Sequence, residues 1–256
     1  MMKQILLITD GCSNVGIQPA IAAAEARENG ITVNVVGIVD YGTIGQLGAC
    51  EIEEIASAGG GVSRIVQSHE LSQTIQMMTR KTVVQTIQQA VNKELKLILG
   101  DAATDGVQAL PLEKRSEVVR VMDDMTEQSA LKVALLIDAS ASMKPKLAAV
   151  EEAIRDLMLS LQARSGKSEL CVFHFPGPYG GEEAVQDLEW TDEITRAKKL
   201  FQRLNMRGTT PTGPALLQVI DYYLAAPRTV NKEPEVVPIN HHERMEMDGV
   251  WSDYIV

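Results

Sequence analysis

Two short apolar runs, Lys3–Thr9 (KQILLIT) and Leu131–Ile137 (LKVALLI), each stop at an aspartate, Asp10 and Asp138. Runs of this length with aliphatic residues at successive positions are the pattern of strands buried on both faces. Such strands belong to parallel sheets covered by helices on either side. Asp10-Gly11 and Asp138-Ala139-Ser140 then read as turns at the carboxyl ends of two strands.

The remaining chain keeps the same alternation. Pro19–Asn29 is predicted as a helix, with proline in its first turn and Gly30 as terminator. Ile31–Val39 (ITVNVVGIV) is a second buried strand. A short helix over Glu51–Ala58 is stopped by Gly59-Gly60-Gly61, and Val62–Val66 is a third strand. Leu71, Ile75, Met78, Ile87, Val91 and Leu95 then follow a helical spacing from about His69 to Leu95. Residues 96–130 form a connector: a loop, LILGDAATDGVQALP, and an amphipathic helix after Pro111. The alternation restarts at Leu131. A helix carries Leu147, Val150, Ile154, Leu157 and Leu161 on one face, and strands follow over Glu169–Phe175 and Ala184–Trp190, joined by FPGPYGG. Helices are expected over Thr191–Leu204 and Ala215–Leu224, with the loop MRGTTPTGP between them. Residues 227–256 are polar and turn-rich and read as a tail. The fold class is α/β: a doubly wound, mostly parallel six-stranded sheet.

Composition narrows the function. The 256 residues carry 24 basic and 34 acidic side chains, a formal charge of −10. That sign disfavours a sequence-independent grip on nucleic acid or anionic lipid. Aromatic residues, 4% of the chain, are too few for a base-stacking platform. The N-terminal apolar run is too short for a signal peptide, and no stretch is long enough to span a membrane. Cys12, Cys50 and Cys171 are scattered, without metal-ligand spacing, as expected of a reduced, cytoplasmic protein.

Chemistry concentrates in three oxygen-rich loops at strand ends or helix starts: Asp138-Ala-Ser140-Ala-Ser142, Thr210-Pro-Thr212-Gly213 and Thr9-Asp10-Gly11. In open α/β sheets, ligands bind beyond the carboxyl ends of strands where strand order reverses. Carboxylates and hydroxyls without thiol or imidazole suit a hard cation, Mg²⁺ or else Mn²⁺ or Ca²⁺. Singly, Asp10 reads as a capping or loop residue, and Thr210 and Thr212 as caps before the next helix. Together, each in its context, they read as a site. So sparing a set leaves the cation an open position, and a partner's carboxylate is the natural group to fill it. GxSxG, GxGxxG and GxxxxGK[ST] are absent, and Ser140 is a poor acyl-transfer nucleophile.

The combination DxSxS, TxTG and DG resembles the metal-ion-dependent adhesion site (MIDAS) of von Willebrand factor A domains. Asp138, Ser140 and Ser142 match its first element, Thr210 the second and Asp10 the third. The resemblance implies a Rossmann-like sheet of order 3-2-1-4-5-6, with Mg²⁺ held by those five residues and a protein partner offering Asp or Glu. It covers 3–95 and 131–226, but in exchanged order, because the DG half precedes the DxSxS half. This is the order of a circular permutation, with 96–130 joining the family's usual C-terminus to its usual N-terminus, and it is similar to the YabS-like von Willebrand A proteins of spore-forming bacteria. Neither half holds a complete site, so one permuted domain is expected. A monomer is favoured on loop-closure entropy over a swapped dimer. The implied role is a non-enzymatic, metal-dependent protein-binding module, working beside a partner such as an AAA ATPase or a protein kinase. The rival readings are a metal-assisted phosphohydrolase and a scaffold with a vestigial metal site.

Overall fold

A computed structural model describes residues 1–40, 45–99, 106–177, 184–197, 200 and 209–225. Six strands form one sheet: β1 (Met2–Thr9), β2 (Ile31–Ile38), β3 (Gly60–Val66), β4 (Leu131–Asp138), β5 (Ser168–Phe175) and β6 (Val185–Thr191). Their order is β3-β2-β1-β4-β5-β6. Every pairing is parallel except β5 with β6. β1 and β4 lie side by side in the centre, in register from Met2 opposite Leu131 to Ile8 opposite Ile137. From that seam the chain winds outward in both directions, so the order reverses between the two strands that end at Thr9 and Asp138.

The apolar runs divide between two cores, as period-2 strands require. Leu6, Ile8, Val133, Leu135 and Ile137 face α3 (Leu71–Leu99) and α5 (Leu147–Gln162). Ile5, Leu7, Ala134 and Leu136 face α1 (Pro19–Glu28), α2 (Gln46–Ala58) and α6 (Thr212–Ala225). Each fully buried Leu or Ile side chain contributes about 1.5–3 kcal/mol. The connector contributes α4 (Leu112–Gln128), whose end is pinned to the body by Arg164. That guanidinium donates to Thr126 O, Ser129 O and Ser168 Oγ at 2.7–2.9 Å. Tyr223 of α6 stitches the central seam, its hydroxyl standing 2.6 Å from Gln4 O and 3.1 Å from Lys132 O. Among the described residues no helix is long and apolar enough to cross a membrane.

Several sequence expectations are corrected. Leu97–Leu99 continue α3 and are not loop, because all three residues tolerate a helix although Leu97 and Ile98 are exposed. Gly59 does end α2, but Gly60 and Gly61 open β3. Gly60 has φ +67° just after the Gly59 cap, the left-handed position at which helices end, whereas a Cβ on Gly61 would lie 2.1 Å from Val33 O, so close strand approach accounts for Gly61 alone. Thr191 closes β6, followed by a 3-10 turn at Ile194–Ala197. The rest of the helix expected to Leu204, the loop before Thr209 and the tail 227–256 lie outside the described residues, apart from Leu200.

Candidate functional site

Asp138 ends β4 fully buried, its backbone in register with Phe175. One carboxylate oxygen accepts Ser140 N–H at 2.8 Å and the other accepts the Thr9 hydroxyl at 2.8 Å. Burial pushes its carboxyl above the ordinary range against those hydrogen bonds, and neighbouring Asp10 pushes the same way. Ser140 and Ser142 lie two residues apart on the turn leaving β4, and their hydroxyl oxygens meet at 3.1 Å. The Ser142 hydroxyl also donates to Asp10 Oδ1 at 2.8 Å, across 132 residues of chain. Four of the five expected residues therefore form one hydrogen-bonded cluster at the switch point between β1 and β4.

Thr210, only 6% exposed, is held by the loop that leaves Asp10. Asn14 Oδ1 accepts its N–H at 2.8 Å, while Asn14 N–H and the Ser13 hydroxyl donate to its carbonyl at 3.2 and 3.1 Å. Glu51 of α2 steadies the loop by accepting Ser13 N–H at 2.7 Å, and burial pushes its carboxyl up. The two loops fit without slack. Gly16, at φ +89°, packs on Pro214, and Gly213 lies where a Cβ would stand 2.1 Å from Ile17 O. The cluster grades from a buried floor, Asp138 and Ser140, to an exposed rim at Ser142; the hydrogen bonds of Thr210 run to Ser13 and Asn14 and not to the cluster itself.

Sequence reasoning missed the roles of four residues. Thr9 orients Asp138. Ser13 and Asn14 clamp Thr210, which only their nearness to Asp10 could have suggested. Lys146, at the end of the 3-10 turn Ala141–Lys146, places its ammonium 2.5 Å from Asp10 Oδ2. His174 pairs with Asp187 at 2.8 Å between β5 and β6. Cys12 is exposed, and burial together with Glu51 raises its thiol pKa, which works against reactivity.

Among the described residues no group of three or more His, Cys, Asp or Glu side chains converges as a metal site. The oxygens here are two carboxylates and serine and threonine hydroxyls, the choice a hard cation makes. Adjacent ligands of an octahedral ion with bonds of roughly 2.1 Å stand about 3 Å apart. The Ser140–Ser142 separation of 3.1 Å is of that size.

Fold and site define a class: a doubly wound α/β protein with an oxygen-rich cluster at its topological switch point. The chain belongs to the YabS family, being 48% identical over 215 residues to the uncharacterized protein YabS of Bacillus subtilis (strain 168), across 84% of this chain and 86% of that one. A crystal structure of an uncharacterized protein from Alicyclobacillus acidocaldarius is 42% identical and superposes with a TM-score of 0.79, covering 87% of this chain and 94% of its own. Proximal thread matrix protein 1 of the mussel byssus, in a structure with a zinc-occupied MIDAS motif, aligns at 15% identity and a TM-score of 0.25, a likeness that carries no argument. No family model matches the chain.

Proposed function

We propose that the chain is a circularly permuted von Willebrand factor A domain and a non-enzymatic, divalent-metal-dependent protein-binding module. The observation that carries the reading is the hydrogen-bonded convergence of Asp10, Asp138, Ser140 and Ser142 from two distant segments onto one end of β1 and β4. The strand order supports the permutation. If β1-β2-β3 are the family's strands 4-5-6 and β4-β5-β6 its strands 1-2-3, the observed order reads 6-5-4-1-2-3. That is the family order taken from the other edge.

Ser140, Ser142 and Thr210 would hold Mg²⁺ through their hydroxyls, with Asp138 and Asp10 supplying the charge. Mn²⁺ and Ca²⁺ share that ligand chemistry. The bound ion supplies an electrophilic centre with a position left for an Asp or Glu of a protein partner. Asp138 is fixed by Thr9 and Ser140 N–H, so it orients the turn that presents both serines. The Asn14 and Ser13 clamp holds the Thr210 backbone to the loop that leaves Asp10. Ser142, exposed at the rim, is where a partner would approach.

Titration calorimetry with MgCl₂ and MnCl₂ tests the site. The wild-type protein should give a one-site isotherm that Asp138→Ala and Ser140→Ala abolish. No heat, or heat unchanged by both substitutions, overturns the metal reading. Capture of a lysate protein by the wild type in Mg²⁺, lost in chelator and in Asp138→Ala, is the expected partner behaviour. Capture indifferent to chelator favours a scaffold, and phosphoester turnover lost in Ser140→Ala favours a hydrolase.

A further inference from the structure

The mutual hydrogen bonding of the cluster leaves one contact that a cation site does not require. Lys146 lies at the last position of the turn after Ser142, and its side chain and that of Asp10 are 12% and 3% exposed. Its ammonium stands 2.5 Å from Asp10 Oδ2, while Asp10 Oδ1 takes the Ser142 hydroxyl. Asp138, fully buried, has both oxygens occupied by Ser140 N–H and Thr9. Two neighbouring carboxylates are thus packed into the core edge with one positive charge laid directly on one of them. Paired charges shielded from water interact more strongly than surface pairs.

We propose that Lys146 is the site's resident cation, neutralising Asp10 in the metal-free protein, and that a divalent ion binds only as Lys146 gives up that carboxylate. This inference rests on the metal-site reading above. Two consequences follow from charge alone. The cluster of Asp10, Asp138 and Lys146 carries one net negative charge instead of two, which weakens its pull on a divalent ion. Metal entry also becomes coupled to movement of the side chain that ends the DxSxS turn and leads into α5. A released ammonium has a second carboxylate within its field, Asp40, at the end of β2. That group is held below its ordinary range chiefly by hydrogen bonds from Ser68, with a smaller contribution from Lys146.

The test compares Lys146→Met, which keeps the aliphatic stem, with Lys146→Arg, which keeps the charge. Calorimetric titration of the full chain with MgCl₂ should give a dissociation constant about tenfold or more lower for Lys146→Met, since each 1.4 kcal/mol released is tenfold. Lys146→Arg should stay within about threefold of the wild type, the size of a few tenths of a kcal/mol. In chelator, a double-mutant cycle of Lys146→Met with Asp10→Asn, read by urea unfolding, should show coupling worth about a fivefold change in the unfolding constant. Wild-type and Lys146→Met proteins that bind Mg²⁺ equally overturn the role of Lys146 and leave the metal site standing. Binding by no variant, with the coupling intact, overturns the metal site and the gating together. A cycle without coupling removes the ion pair on which the inference is built.

Discussion

Replacing Asp138 by Asn should make the metal-free protein more stable while destroying the site. Asp138 is fully buried and accepts two hydrogen bonds, from Ser140 N–H and the Thr9 hydroxyl. Hydrogen bonds to a charged acceptor contribute about 1.5–3 kcal/mol each, or about 3–6 kcal/mol for the pair. Against them stand several kcal/mol for withdrawing a carboxylate charge from water, and the like charge of Asp10. Burial raises the carboxyl pKa, so ionisation is less favourable at this position than in the unfolded chain. Asparagine keeps the Ser140 bond through its carbonyl. Its amide donates to Thr9 Oγ, whose proton turns to Gly11 O, already 3.3 Å away. Two neutral bonds of about 1 kcal/mol each then remain without the ionic desolvation. The expected gain is about 1–2 kcal/mol, a rise in Tm of about 2–8 °C for a body of this size. Excess Mg²⁺ reverses the ranking, because at a hundred times Kd it adds about 2.7 kcal/mol to the wild type and nothing to the variant. Differential scanning calorimetry in EDTA and in saturating MgCl₂ should show the two proteins exchanging order. A lower Tm for Asp138→Asn in EDTA, or equal stabilisation of both proteins by Mg²⁺, refutes the reasoning.

The same group sets a pH dependence. Asp138 binds its proton more tightly folded than unfolded, so metal-free stability falls as pH rises from the ordinary carboxylate range through its raised folded value. That slope should be absent from urea melts of Asp138→Asn. Gly213→Ala drives a Cβ to 2.1 Å from Ile17 O, which should shift the start of α6, weaken Mg²⁺ binding about tenfold by calorimetry and cost about 1–3 kcal/mol while the far-ultraviolet circular dichroism is retained. Tyr223→Phe removes a buried hydroxyl 2.6 Å from Gln4 O and should lower unfolding free energy by about 1–2 kcal/mol with an unchanged m value.

The central seam and the DxSxS turn were legible in sequence because their signals are local. An apolar run followed at once by aspartate needs no distant information to be read as a buried strand with a polar end. The same holds for α1, where proline and glycine mark both ends. What was missed depends on long-range geometry. Lys146 carries no mark of its place on Asp10, since the pairing arises only when a 3-10 turn brings position 146 over a carboxylate encoded 136 residues earlier. Ser13 and Asn14 look like ordinary turn residues until α6 packs beside them. Glycines 59 to 61 gave a strong punctuation signal whose cause was mixed, Gly59 and Gly60 ending a helix and Gly61 admitting a strand against Val33. The end of α3 failed differently: its last residues leave the core, so the apolar period stops before the helix does.

The distance in sequence across the site has a consequence for synthesis. Asp10 is made well before its partners: its serine partner follows 132 residues later, and the asparagine that grips Thr210 waits 196 residues for it. A chain still emerging from the ribosome can fold β1, β2 and their helices early, since domains form as their segments appear. It cannot close the Ser13 and Asn14 clamp on Thr210 until the start of α6 is free. Every truncated product ending before Thr210 therefore lacks that clamp, whatever else it has folded. A partner that reads the clamped loop beside the cluster would distinguish chains that carry α6 from shorter fragments without any separate inspection step.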